Sequence, residues 1–353
     1  MPTRPDPRTG VAPVVEVRDL SVHFRLQGGA LSRLLGLGQR TVRAVDGVDL
    51  TLHRGEVLGV VGESGSGKST LGRALLGLAP ASGGSLTYHP RSGGGPQEVT
   101  RLRGAELRRL RTDVQMVFQD PSAALNPSMT IEEAVGHPLV IHGLARGAEL
   151  RRRVADALER VGLSPVERFL DKRPSDLSGG QKQRAVIARA IILEPEVLVA
   201  DEPVSMLDMS VRAKILELML DLKRDLGLTY IYITHDLASA KFFCDLIAIM
   251  YLGRIVELAA TARIFAAPAH PYTRALLAAA PGLTPGMKLA TTVAGEPPSP
   301  TNVPSGCAFR TRCAHARDVC AGAVPALEPV PLGGAVACVR WREIAGAVAQ
   351  SSG

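Results

Sequence analysis

A chain of 353 residues, 46% hydrophobic and 21% charged, buries a large core and is neither disordered nor fibrous. No run of 18 apolar residues spans a bilayer, and "MPTRPDPRTG" puts Pro and charge where a secretory signal needs apolar residues, so a cytoplasmic chain is expected. The net charge of +7 reflects arginines gathered in 101–111 and 151–153. Solvated helix faces, nucleic acid and anionic lipid would each use them, and charge alone does not choose.

In chain order, residues 1–13 read as disordered. Alternating apolar residues in "VVEVRDLSVHF" predict a strand, 27–41 a loop insertion, and "RAVDGVDLTL" and "GEVLGVVG" two further strands. Apolar runs recur at "VQMVFQ", "EVLVAD" and "LTYIYITHD". Helical patterns lie between them: "KSTLGRALLGL", "AELRRLR", "TIEEAVGHPLVIHG", "ELRRRVADALERVGL" and "VRAKILELMLDLKRDLG". This alternation predicts an α/β fold with a parallel sheet covered on both faces. The main domain is expected over 14–265, with a helical lobe at about 122–185. Residues 266–353 form a C-terminal region, with a Pro- and Gly-rich linker at 281–306 and a cysteine-bearing tail.

"GESGSGKST" (62–70) fits the phosphate-loop pattern, follows a strand and opens a helix. Gly62, Glu63, Ser64, Gly65, Ser66, Gly67, Lys68, Ser69 and Thr70 are therefore the expected nucleotide-binding loop. Its N–H groups would cradle phosphate, Lys68 would meet the β/γ oxygens and Ser69 would ligate Mg²⁺. Gln119, Asp201, Glu202 and His235 each follow a buried-type strand and so share the carboxyl edge of the sheet, where ligands bind. Asp201 is placed to hold Mg²⁺ through water and Glu202 to act as general base. Gln119 could reach metal and water, and His235 the γ-phosphate. Singly, an Asp-Glu pair also serves as a helix cap, and a strand-end His is also structural.

"DLSGGQKQR" (176–184) poses a second problem. Ser178, Gly179, Gly180 and Gln181 precede an apolar-periodic run, as in a helix start built to hold an anion, yet the phosphate loop lies more than a hundred residues upstream. "GESGSGKST", Gln119, "LSGGQ", "VLVADE", "SMLD" (205–208) and His235, in that order, resemble an ABC-type ATPase over roughly 14–260. The resemblance implies a RecA-like P-loop core with an N-terminal antiparallel β region. It also implies that Ser178, Gly179 and Gly180 meet the γ-phosphate held by a partner subunit, with Asp208 crossing the same seam. Phe24 matches the position that stacks on adenine, and it also fits simple strand alternation. Met206 departs from the usual Ala of "SMLD".

"RAVDGVDL", "MVFQDPSAALNPSMT", "IMYLGRIVE", "HPYTRALLAAAP" and "GEPPSPTNVPSGCAFRTRC" extend the likeness to the oligopeptide/dipeptide importer ATPases along nearly the whole chain. That implies an ATP- and Mg²⁺-using subunit, peripheral on the cytoplasmic face of the inner membrane. Its partners would be a second ABC ATPase, two permease subunits and an external solute-binding protein, with no nucleic acid. Peptides, nickel and glutathione are all cargoes of such proteins.

Cys307, Cys313, Cys320 and Cys338 fall within 32 residues, separated by five, six and seventeen. A cytoplasmic chain does not use them as disulfides. Without a tight C-x₂₋₄-C pair they suit a 4Fe–4S cluster better than zinc, and the family resemblance points the same way. His315 is expected as a bystander and Cys244 as core packing. Two rivals stand beside this reading. A nucleic-acid ABC ATPase needs long coiled coils or tandem cassettes, whereas one cassette is present and only 110 positions separate Lys68 from Ser178. A non-catalytic ATP-binding partner would lack some catalytic position, and all are filled.

Overall fold

The computed structural model describes residues 12–25, 41–280, 282–283, 295–331 and 333–350. Residues 1–11 of the stretch read as disordered, 27–40 of the expected insertion and part of the linker at 281–306 fall outside the described residues, while Pro13 and Thr41 belong to strands. β1 (Pro13–Arg25) and β2 (Thr41–His53) precede β3 (Val57–Val61) and α1 (Lys68–Leu75). β4 (Gly83–Tyr88), β5 (Gln97–Glu98), α2 (Gly104–Asp113) and β6 (Val114–Val117) follow. The helical lobe is built on α3 (Ile131–Ile141) and α4 (Gly147–Arg160), and the chain returns through α5 (Gly179–Ile191). β7 (Val197–Asp201), α6 (Met209–Leu226), β8 (Thr229–Thr234), α7 (Leu237–Phe243) and β9 (Leu246–Tyr251) complete the central alternation. Then come β10 (Arg254–Ala260), α8 (Thr261–Ala266), α9 (Pro271–Ala278), β11 (Glu328–Pro329), β12 (Ala335–Val336) and α10 (Trp341–Gln350).

These strands make two sheets. A 4-stranded antiparallel sheet runs β2-β1-β4-β5, and an 8-stranded sheet runs β11-β12-β10-β9-β3-β8-β7-β6. From β9 to β6 the large sheet is parallel, as the buried apolar runs predict. Beyond β9 it turns antiparallel through β10, β12 and β11, which the sequence reading does not anticipate. The β9–β10 hairpin turns on Leu252 and Gly253, both at positive φ (44° and 83°), and a leucine there carries no turn signal.

Successive side chains of the central strands go to opposite faces. Tyr230 and Tyr232 of β8 join a core with the helical lobe, α5 and α6, while Ile231 and Ile233 join α1 and the small sheet. The sheet's carboxyl edge is thereby held between two packed layers. Helix starts carry their own determinants. Thr130 and Glu133 form a capping box at α3, as do Ser178 and Gln181 at α5. Gly227, at φ 63°, closes α6.

Candidate functional site

The start of α1 is set by two glycines. Gly67 is the N-cap at φ 103°, and a Cβ there would stand 1.9 Å from the Ala44 carbonyl oxygen of β2. A Cβ on Gly62 would stand 2.2 Å from the Met250 carbonyl oxygen of β9. The loop is thus pressed against the ends of two strands, and only glycine fits. Lys68 is 5% exposed. Its Nζ donates to the carbonyls of Gly62 (2.9 Å) and Glu63 (2.8 Å). Burial lowers its ammonium below the usual lysine range, against the pull of the Glu202, Asp201 and Glu63 carboxylates.

β7 ends in Asp201, 3% exposed, whose Oδ1 accepts from Ser69 Oγ at 2.9 Å. Burial pushes the Asp201 carboxyl up, and the neighbouring Glu202 adds to this while the Ser69 hydrogen bond opposes it. Glu202 sits at φ 47°, a left-handed backbone that a side chain rarely adopts, fixed by its N–H donating to the Ile233 carbonyl at 2.9 Å. Gln119 Nε2 donates to Glu202 Oε2 at 3.2 Å, and His235 Nδ1 lies 3.1 Å from Oε1. Gln119 and His235, from two other strand ends, therefore each touch Glu202. A cavity of about 810 Å³ opens over them, lined by the phosphate loop, Gln119, Glu202 and His235. A loop of backbone donors, a buried ammonium and the Glu202 carboxylate line or border one cavity, with Asp201 behind it on Ser69, an arrangement that suits a bound polyphosphate.

Residues 45–205 match the ABC transporter family, and 256–320 match the C-terminal region of oligopeptide/dipeptide transporters. The oligopeptide transport ATP-binding protein OppF of Escherichia coli is 44% identical over 319 residues, 89% of this chain and 92% of that one. A putative peptide import ATP-binding protein of Brucella ovis is 43% identical over 93% of this chain and 98% of its own. Among solved structures, the ATP-binding cassette MJ0796, a dimer in a post-hydrolysis state with ADP and Pi, is similar with a TM-score of 0.58 and 29% identity, covering 70% of this chain and 98% of that one. The cbiO1 subunit of Clostridium perfringens has a TM-score of 0.59 and 29% identity, covering 72% of this chain and 91% of its own. The chain belongs to the ABC transporter ATPases and carries the C-terminal region of their oligopeptide/dipeptide branch.

Ser178 is the N-cap of α5. Its Oγ accepts from Gln181 N–H at 3.3 Å, and Gln181 Oε1 accepts from Ser178 N–H at 3.0 Å. Ser178 and Gly179 are exposed, and neither lines the cavity over the phosphate loop. Asp208 caps α6 without a side-chain bond and is also exposed, next to Met206 (63% exposed) and Met209 (85%). Phe24 is 41% exposed, which sets aside the core-packing alternative, and it pairs in register with Val42, a cavity-lining residue.

The tail cysteines differ from the expectation of a formed metal centre. Cys307, Cys313, Cys320 and Cys338 do line one small cavity, about 20 Å³, together with His270 and His315. Yet among the described residues no group of three or more His, Cys, Asp or Glu is close enough to hold a metal ion. Burial pushes the thiols of Cys307 and Cys313 up, and that of Cys338 to about 11. Cys244 is core packing as expected, 7% exposed. Among the described residues no helix is long and apolar enough to cross a membrane.

Three tail contributions to this cavity and its loop are absent from the sequence reading. Leu276 of α9 and Pro300 line the cavity, and Tyr272 Oη accepts from Glu63 N–H at 3.0 Å. "HPYTRALLAAAP" marks the tail but no pattern in it points to the phosphate loop.

Proposed function

We propose that this chain is the ATP-hydrolysing subunit of an importer for peptides or a related small solute. It would be peripheral on the cytoplasmic face of the inner membrane, with a second ABC ATPase, two permease subunits and an external binding protein. The observation that carries the dimeric part is the exposed Ser178 helix start. It has the makings of an anion site, and it stands outside the chain's own nucleotide cavity. Ser178, Gly179, Gly180, Gln181 and Asp208 would close over the γ-phosphate held by the partner, and Phe24 would stack on adenine at the mouth beside Val42.

At the phosphate loop, Lys68 leaves the carbonyls of Gly62 and Glu63 to meet the β/γ oxygens. Ser69 and Asp201, already hydrogen-bonded, form the position for Mg²⁺, which neutralises phosphate charge when bound. Gln119 is the further contact to metal and water. Glu202, held between Gln119 and His235, accepts a proton from the attacking water as its oxygen bonds to the γ-phosphorus and the bond to the β-phosphate breaks. His235 supports the γ-phosphate. The two subunits part when that phosphate no longer bridges them. Exposed Ile141 and Leu144, on the helical lobe, would provide an apolar surface for the permeases.

The convergence of four cysteines on one cavity supports a 4Fe–4S cluster in the tail, with zinc as the alternative. Cys307, Cys313, Cys320 and Cys338 would become its thiolate ligands only on loading. Iron and sulfide in the purified protein, with a band near ~400 nm lost in Cys313→Ser, are expected; stoichiometric zinc without iron contradicts the cluster. For the transport function, cells whose only copy carries Glu202→Gln should lose uptake of a labelled peptide. Unchanged uptake, or an ATPase stimulated by DNA, contradicts it.

A further inference from the structure

The tail does more than adjoin the nucleotide cavity. Glu63, second in the phosphate loop, is held twice: its N–H donates to Tyr272 Oη at 3.0 Å, and its carboxylate accepts from Arg312 Nη1 at 2.9 and 3.2 Å. The pair is well shielded, with the Arg312 side chain 7% exposed and that of Glu63 25%. Arg312 also reaches Tyr251 Oη at 3.4 Å. Tyr251 packs on Tyr272 and Phe309 with ring centroids 4.7 and 5.4 Å apart, so the end of β9, α9 and the tail meet at this point.

Two consequences follow for the loop. The Glu63 carbonyl is one of the two carbonyl acceptors of the Lys68 ammonium before ATP binds, so fixing Glu63 sets the position from which Lys68 turns to the phosphates. In addition, a carboxylate beside a loop that receives a polyanion opposes binding unless a cation neutralises it. We propose that Arg312 is a positioning residue for the phosphate loop: it neutralises Glu63 and, with Tyr272, holds the loop in the shape that accepts the ATP phosphates. The cysteine-bearing tail is then a working part of the nucleotide site, and Cys313, next in the chain to Arg312, sits one residue from the contact. This rests on reading residues 62–70 as the ATP-binding loop.

The test is equilibrium titration of the full chain with a fluorescent ATP analogue and Mg²⁺, with steady-state hydrolysis alongside. Arg312→Ala should weaken ATP binding about tenfold and leave kcat at saturating ATP within about twofold. Adding Glu63→Gln to Arg312→Ala should bring the affinity back to within about threefold of the native chain, because the unneutralised charge is gone. Arg312→Lys, which keeps charge without the fork, should fall between. Unchanged affinity in Arg312→Ala overturns the proposal. So does a loss that persists undiminished in the double variant, since general damage to the fold would not be relieved by removing Glu63. A native chain that binds no analogue removes the loop's reading itself, a failure distinct from a native chain that binds and an Arg312 variant that binds equally well.

Discussion

At the start of α1 the chain wraps its anion site. Gly62 and Gly67 are pressed against strand ends, Lys68 is buried among loop carbonyls, and a large cavity closes over them. At the start of α5 nothing is wrapped. The Ser178 hydroxyl accepts from its own helix and Gly179 is exposed. Both use the same unpaired N–H groups and the same helix dipole. The difference is that the first is enclosed by its own chain and the second lies open, as the proposed closure by a partner subunit requires.

Substitutions at the two helix starts should therefore fail in different ways. Glu202→Gln should lower turnover about 10³-fold and leave ATP binding intact, read by single-turnover hydrolysis beside equilibrium binding. Lys68→Ala acts on the wrapped site and should weaken ATP affinity about a hundredfold, measured by titration. Gly179→Asp acts on the open site. A Cβ there meets only Leu207 at 3.6 Å, an ordinary contact, so the fold tolerates it. The added charge should cut hydrolysis about thirtyfold while the isolated chain binds ATP normally.

The smallest effect concerns acid. The Asp201 carboxyl is raised by burial, and its neutral form cannot hold a cation. Mg²⁺-dependent binding is therefore present above that raised pKa and lost as pH falls through it, at a higher pH than an ordinary aspartate near ~4 would give. Ser69→Ala removes a bond that lowers this pKa, so the acid limb should move up further; Asp201→Asn should abolish the limb. Binding titrations across pH check both.

The wrapped site is legible in the sequence because each part sits at the end of a continuous apolar run: "VLGVV" before the loop, "VQMV" before Gln119, "VLVA" before Asp201 and Glu202, "YIYIT" before His235. Strand ends in a parallel sheet converge, so the chemistry converges with them. That Glu202 is held by Gln119 and His235 at once depends on its left-handed backbone, and no residue type announces that. The tail is less legible. Its place in the large sheet depends on a hairpin turned by Leu252 and on β12 pairing with β10 across many intervening residues, neither of which leaves a local pattern. Its cysteines can be counted, but their sharing of one cavity, and the reach of Arg312 to Glu63, come from packing alone.

Cross-linking across the proposed seam tests the two halves most directly. With Glu202→Gln to hold ATP, a cysteine introduced by Ser178→Cys should link to one introduced at the phosphate-loop serine of the opposing subunit, Ser69→Cys in a pair of like chains. The linked species should form with ATP and disappear with ADP. If ATP yields no more of it than ADP does, in either the like pair or the assembly with a second ATPase, the half-site reading of Ser178 is wrong.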